Sequence, residues 1–376
     1  MTRVLIAGIA TRGFAESAAR AGYEVIALDG FGDLDLRARA RTVRMARAAG
    51  RFSPRAAVRA ARTIARDAVC YVASFENHPR AVRALARQGT LWGNSPTVLA
   101  RVRDPVRLAR AFAARGFAAP AVRLTSSTPS ADYAWLVKPR ASGGGGGITP
   151  LRRRHRVPAG HYLQQRITGL AGSIVFAADG SRAVPLGLSL QLAGERAFGA
   201  EGFRYCGSIL ARVEAGVRAI AIRLAAAVTE DFGLVGVNGL DFVAAGGVPY
   251  PLEVNPRYTA SMELVERATG VSIFEIHARA CAGALPAADL AAALAPGAIG
   301  KAIVYARRAV TAPDTRAWLE DDTVRDVPTP GARIARGQPI CTVFARGTDA
   351  ARCRAALAQR ARALYRAVEA HRRSVA

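Results

Sequence analysis

The sequence predicts a multidomain protein of mixed α/β and α+β class, and three observations carry that expectation. A strand-helix-strand pattern opens the chain, an acidic hairpin stands at residues 235–255, and short strands punctuated by proline and glycine precede the final helix. At 376 residues the chain exceeds the usual ~150-residue domain, so two or three domains with at least one large core are expected.

The elements follow in order. RVLIAG (3–8) reads as a buried strand, TRGFAESAARAG as a helix ending at Gly22, and YEVIALD as a second strand, which together start a parallel sheet. The turn GIATRG lacks the G-x-G-x-x-G spacing, so a dinucleotide site has little support even though Asp29 ends the second strand. DAVCYVASFEN (67–77) is a further strand with polar residues at its C-terminal end, where open α/β sheets bind ligands. Glu76, Asn77 and His78 are thus candidates for substrate contact, or equally a capping cluster for the helix that begins at Pro79.

From 101 to 117 a helix leads to GFAAPAVRL, the polar loop TSSTPSAD, the strand YAWLVKPR and five glycines at 143–147. A strand-rich block (161–192), an Ala-rich helix (213–231), the hairpin (235–255) and a helical stretch (261–293) come next. GKAIVYARRAV and DVPTPGARIARGQPICTVFARG supply the short C-terminal strands, closed by an amphipathic helix from 349. The expected division is an N-terminal α/β domain (1–100), a second domain (101–295) and a β-rich subdomain with a terminal helix (296–376).

Composition narrows the function. Apolar residues make up 51%, yet charges interrupt every stretch before the ~20 consecutive apolar residues of a membrane span. The N-terminal apolar run continues into a strand-turn-helix pattern and is expected to be a core strand, not a signal peptide. Five cysteines, odd in number and never in a C-x-x-C pair, suggest neither a disulfide framework nor a zinc site and fit a reducing cytoplasm. The oligomeric state is open, a homodimer included.

A formal charge of +25 raises the question of a nucleic-acid partner. The arginines, however, lie on Ala-rich segments such as RARARTVRMARAAGR, and no basic stretch is interleaved with aromatics that would stack on bases. Solvated helix faces are the expected reading, with attraction for phosphorylated or acidic small molecules as a by-product. Of 53 basic residues only Lys138 and Lys301 are lysines. Each hints at a place where a planar guanidinium would not fit, with two chance survivors as the alternative.

Three segments carry chemistry. In PLEVNP, Glu253 and Asn255 are two apart on a strand and leave one face. A three-residue loop at Gly246, Gly247 and Val248 would set Asp241 opposite Glu253, whereas a two-residue loop would put it on the other face. Two carboxylates and an amide would then converge with no basic residue between them, which is costly unless a cation or a proton joins them. In WLVKPRASGGGGGI, a lysine leaving an apolar strand is followed by glycines whose bare N–H groups can approach polyphosphate. It is not a Walker A loop, because no G-K-[ST] follows. HYLQQRITG (161–169) could present backbone groups to an adenine edge, although Gln164, Gln165 and Ile167 could equally be ordinary strand residues.

Together these residues make the chain resemble the ATP-grasp superfamily of carboxylate–amine ligases over nearly its whole length. The resemblance implies ATP and magnesium, with manganese as an alternative, and small-molecule carboxylate and amine substrates. It places the lid at residues 120–170 and the metal-binding lobe at 171–295. Lys138 would contact the ATP phosphates, Gly143, Gly144, Gly145 and Gly146 would lie in the lid, and Gln164, Gln165 and Ile167 would line the adenine pocket. Asp241, Glu253 and Asn255 would hold the metal, and Arg257 would steady the transferred phosphoryl group and the acyl phosphate. One departure stands out: the family's Asp-Lys is here Asp104-Pro105, and Arg101, Arg103 or Arg107 would have to substitute.

FEN (75–77), EGFRYCGSI (201–209), EVNPRYTASMEL and the C-terminal strands further resemble the ligases of methanofuran and methylofuran biosynthesis, which join glutamate to tyramine or a related amine. That likeness makes Arg204, Tyr205 and Tyr258 substrate-pocket candidates, against loop packing as the alternative. The C-terminal strands carry no lysine that a biotinyl or lipoyl domain would modify. An ATP-binding regulatory protein without turnover is the competing function.

Overall fold

The computed structural model describes the chain apart from residues 46, 49–50, 125–133, 153–156, 288, 291–295 and 376. The polar loop TSSTPSAD and part of the helical stretch 261–293 lie outside the described residues.

The N-terminal domain is built on a five-stranded parallel sheet. Its central strand, Arg3–Gly8, runs between Glu24–Asp29 and Ala68–Tyr71, with Arg41–Arg44 and Thr90–Leu91 at the edges. Val4, Leu5, Ile6 and Ala7 are fully buried, as an all-apolar run requires when a parallel strand is covered on both faces. Alternate residues feed two cores: Val4 and Ile6 meet Phe14 of the first helix (Arg12–Arg20), while Leu5 and Ala7 meet Phe75 and Leu85. The strand expected over 67–77 stops at Tyr71, because Phe75 turns inward and Phe75–Asn77 winds into a 3-10 turn. Asp29 also finds its use here. Its carboxylate accepts from the N–H groups of Thr11, Phe31 and Gly32 and from the Thr11 hydroxyl, so it ties two loops together.

The single helix expected over 101–117 is two, Pro96–Val102 and Pro105–Ala114. Pro105 has no N–H to continue the first helix, and the Asp104 carboxylate caps the second by accepting from Val106 and Arg107 N–H, both at 3.0 Å. A small antiparallel sheet follows, ordered Thr149–Pro150, Trp135–Pro139, His161–Gln165 and Val122–Leu124.

The largest sheet has eight antiparallel strands: Val248–Asn255, Val235–Ala245, Leu170–Asp179, Ala183–Ala193, Tyr205–Leu210, Ala298–Tyr305, Pro339–Gly347 and Val324–Arg325, in that spatial order. The C-terminal β-rich part is therefore built onto this sheet. Leu240, Phe242 and Val254 face the long helix Ala215–Phe232. Val237, two and four residues from Gly239 and Asp241, faces the opposite core, shared with Met262, Phe274 and Phe14. Asp241 thus leaves the face on which the N-terminal domain packs. The terminal helix, Ala350–Val375, buries Cys353, Leu357, Ala361, Leu364 and Val368 against the C-terminal strands, a helical spacing. All five cysteines are free thiols. Among the described residues no helix is long and apolar enough to cross a membrane.

Candidate active site

Gly246 and Gly247, with φ of 56° and 77°, form a two-residue turn of the type that only positive φ at both positions allows. This corrects the three-residue loop expected from sequence, since Val248 pairs with Ala245. Parity is restored elsewhere. Phe242 pairs with Pro251 but Asp241 pairs with Glu253, so Leu252 is an extra residue in a bulge. Pro251 cannot donate to the ladder, which is why pairing slips at that point.

Asp241 and Glu253 consequently stand side by side. The amide of Asn255 donates to Asp241 Oδ2 at 2.9 Å, and Gln191 Nε2 donates to Oδ1 at 2.8 Å. A second correction concerns charge, because a basic residue does reach the pair: Arg103 Nη1 donates to Glu253 Oε2 at 3.0 Å and to the Val254 carbonyl at 3.1 Å. The two carboxyls are driven apart in acidity. Burial raises Asp241, the Glu253 charge adds to this, and the result is about 6 in spite of hydrogen bonds from Ser173 and Asn255. Burial acts on Glu253 as well, but Arg103 and then Lys138 outweigh it and hold that carboxyl below its ordinary value.

Lys138 approaches from the small sheet. Its ammonium is buried, lies 5.9 Å from the centre of the Tyr162 ring and donates to Gln164 Oε1 at 2.9 Å. Gln164 Nε2 in turn donates to the carbonyl of the bulged Leu252 at 3.2 Å. The small sheet is thereby pinned across the cleft to the acidic hairpin. Gln165 leaves the other face and accepts from the Ala121 N–H at 3.1 Å, so the structure brings Gln164 but not Gln165 to Lys138. Ile167 is half-buried, two residues further along.

The glycine loop lies against the central sheet. Tyr205 N–H donates to the Gly144 carbonyl at 3.0 Å. Gly145 has φ of 72°, and a Cβ there would sit 1.8 Å from the Phe203 carbonyl oxygen. A Gly145→Ala chain is therefore expected to release the loop, seen as faster tryptic cleavage after the nearby Arg140 at unchanged melting temperature. An unaltered cleavage rate would show that the contact does not hold the loop.

Just before the glycines, the Ser142 carbonyl accepts from Asn77 Nδ2 at 3.2 Å and from Arg103 Nη2 at 3.3 Å. Asn77 Oδ1 also accepts from Arg103, at 3.1 Å. Glu76 Oε1 accepts from Arg257 Nη2 at 2.8 Å, and the same nitrogen reaches Asn255 Oδ1 at 3.2 Å. Glu76 and Asn77 thus set the two arginines that flank the hairpin. Of the three arginines able to stand in for the missing lysine, Arg103 enters this cleft, Arg101 binds the Asp231 carbonyl, and Arg107 points out from its helix.

The remaining candidates scatter. Tyr205 bonds the Ser208 hydroxyl at 2.8 Å on the face that carries Gln191, and burial pushes its phenol upward. Arg204 points elsewhere, toward the Gly337 carbonyl. Tyr258 is core, stacked on Phe14 with ring centroids 4.7 Å apart. Gln191 and Ser173 were not visible as site residues in the sequence, because only the strand order brings them beside Asp241.

Residues 102–261 match the family model described as ATP-grasp domain. Over these residues the chain is similar to an ATP-grasp domain, and its fold is the ATP-grasp fold. The fold recurs in solved structures. Pyruvate carboxylase of Rhizobium etli superposes with a TM-score of 0.73 at 14% identity, over 92% of this chain and 35% of that one. The biotin carboxylase domain of 2-oxoglutarate carboxylase from Hydrogenobacter thermophilus, solved with MgADP and bicarbonate, gives 0.70 at 15% identity, over 91% and 85%. L-amino acid ligase from Bacillus licheniformis gives 0.71 at 16% identity, over 95% and 96%. In sequence, an uncharacterized protein of Methanocaldococcus jannaschii is 28% identical over 120 residues, which is 32% of this chain and 28% of that protein. The match thus spans less than a third of that relative's length.

The ATP-grasp cleft fits a hard cation. Among the described residues no group of three or more His, Cys, Asp or Glu is placed to hold a metal, and the set at the hairpin is two carboxylates and an amide. Magnesium takes such a set, because it relies on one or two carboxylates and completes its shell with phosphates and water. Burial and then the repulsion from Glu253 raise Asp241, and a bound cation would relieve both. Nearby, Glu76 Oε2, Arg103 Nε and Arg257 Nε are buried without a hydrogen-bond partner.

Proposed function

We propose that this ATP-grasp protein is an ATP-dependent ligase that joins a carboxylate to an amine through an acyl phosphate. The observation that carries this reading is the facing of Lys138 and the Asp241–Glu253 pair across one cleft, held at that separation by Gln164. Asp241, Glu253 and Asn255 would hold magnesium, or manganese in its place. The metal, with ATP, would supply neutralisation of the charge on the transferred phosphoryl group.

The chain's own groups do the rest by position. Lys138 and the N–H groups of Gly143, Gly144, Gly145 and Gly146 bind phosphate oxygens, and Gln164, the backbone of Gln165 and Ile167 border the adenine. Arg257, anchored by Glu76 and Asn255, is aimed at the phosphoryl group and at the acyl phosphate it leaves. Arg103, anchored by Asn77 and Ser142, takes the place of the lysine that Pro105 excludes. Tyr205, beside Ser208 and Gln191 on the same sheet face, borders the acceptor side. In this reading the acid and the amine are those of methanofuran-type biosynthesis, glutamate and tyramine being the first pair to try.

ADP release is the test, screened over amino acids paired with amines and with the product identified by mass. Release that requires both partners is expected. Nucleotide binding without release for any pair would favour the regulatory alternative. Lys138→Arg is expected to weaken ATP binding at least about tenfold, although charge is kept, because the buried slot beside Tyr162 and Gln164 fits a compact ammonium. Unchanged affinity by calorimetry would remove Lys138 from the nucleotide site.

A further inference from the structure

A second cleft, of about 750 Å³, is lined by Arg196, Arg204, Arg307 and Arg336. It lies between the loop after strand Ala183–Ala193, the end of strand Ala298–Tyr305 and the turn before strand Pro339–Gly347. Glu201 is the one carboxylate on its wall. Neither Lys138 nor the acidic hairpin contributes to it.

All four arginines are exposed, and two of them, Arg204 and Arg307, are held in place. Arg204 donates to the Gly337 carbonyl at 2.8 Å, with its guanidinium 5.1 Å from the centre of the Tyr305 ring. Arg307 donates to the carbonyls of Arg196 and Ala197, at 3.1 and 3.3 Å, and lies 4.0 Å from the centre of the Tyr365 ring. Arg204 and Arg307 are thus fixed by neutral groups that leave the charge and much of the donor fork of each uncommitted. Among the described residues none of the four forms an ion pair, whereas the adjoining Arg308 pairs with Glu369 and Glu195 is taken by Arg354. Four cations gathered around the single carboxylate Glu201 repel one another beyond what it offsets, and an anion between them lowers that cost.

The floor is shaped by close approach. Gly199 and Gly337 have φ of 72° and 76°. A Cβ on Gly199 would lie 2.4 Å from the Tyr305 carbonyl oxygen, and one on Gly337 would lie 3.1 Å from the Arg204 guanidinium. The cleft falls within the ~300–1,000 Å³ typical of small-molecule sites. Guanidinium forks match the oxygens of phosphates and carboxylates two at a time.

We propose that this cleft binds a small multivalent oxyanion, a phosphate ester or a polycarboxylate, at a site separate from the nucleotide cleft. The site also adjoins the glycine loop, since Arg204 stands between Phe203 and Tyr205, whose backbones touch Gly145 and Gly144. It does not depend on the ligase reading.

Calorimetry on the full chain at low salt tests this with two probes, pyrophosphate for the phosphate class and citrate for the carboxylate class. At least one is expected to bind, with affinity falling about tenfold or more in Arg307→Ala/Arg336→Ala. Lys138→Ala, which removes phosphate binding in the other cleft, is expected to leave that affinity within about twofold. Arg336→Glu is the second variant, because Arg336 is exposed and has no hydrogen bond or ion pair among the described residues. It is expected to weaken binding at an unchanged melting temperature. No saturable binding, binding that survives both arginine variants, or binding lost in Lys138→Ala alone would overturn the proposal.

Discussion

Glu253→Gln is expected to lower ATP-dependent ADP release about 10²–10³-fold, the range seen when a group stabilising transition-state charge is removed. The fold should not notice the change. Glu253 is 31% exposed, and its amide isostere can still accept from Arg103 across the 3.0 Å contact. What disappears is one of two negative charges at the proposed metal site. The loss has a second readout, in Asp241. That carboxyl is raised to about 6 by burial first and by the Glu253 charge next, so removing the charge should bring it back toward the ordinary value. An ADP assay and a thermal melt on the same preparation decide the matter. Wild-type turnover would take Glu253 out of the site, and a lower melting temperature would mean that the carboxylate serves the fold.

Much of this cleft was legible because its signals are local. Lys138 ahead of the glycines and Glu253 two residues from Asn255 are short-range patterns, and a strand's alternation fixes the face of each. The pairing of Asp241 with Glu253 was reached through the wrong turn. Sequence parity favoured a three-residue loop, while the protein uses a tight glycine turn and a bulge at Leu252. A bulge of one residue has the same effect on parity as a longer loop, and Pro251 was its visible cue. Contacts between distant segments were not legible at all. Arg103 is 150 residues from Glu253, and nothing in RVRDPVR distinguishes it from Arg101 or Arg107. The two lysines did mark special places, since Lys138 and Lys301 are both buried. The cluster around Lys301 was nevertheless missed, because its partners come from four separate segments.

That cluster supports the second large expectation, that Arg12→Met will cost about 3–5 kcal/mol, as breaking a buried ion pair on one side does. Arg12 is 3% exposed at the start of the first helix. It donates to Glu16 at 3.1 Å, to Asp326 at 2.8 Å and to Glu263, which also receives the Lys301 ammonium. Asp35 lies 3.6 Å away and accepts from the N–H groups of Asp326 and Val327. One guanidinium thereby joins the N-terminal domain to the helix Met262–Thr269 and to the end of strand Val324–Arg325. Its removal strands several carboxylates in a buried place with Lys301 as their main counter-charge. The pH dependence follows from the directions of the shifts. Burial acts to raise Glu263 and Asp326, and Arg12 is the leading influence that instead holds both below their ordinary values. In the wild type their contribution is therefore present above the ordinary carboxylate range and lost as pH falls below it. Without Arg12 the same groups rise above their unfolded values, so the native variant takes up protons first and gains stability as pH falls. The deficit of Arg12→Met against wild type is expected to shrink from pH 7 to pH 5 in denaturant melts. A deficit of the same size at both pH values would mean that the loss comes from packing of the arginine stem and not from the charges it serves.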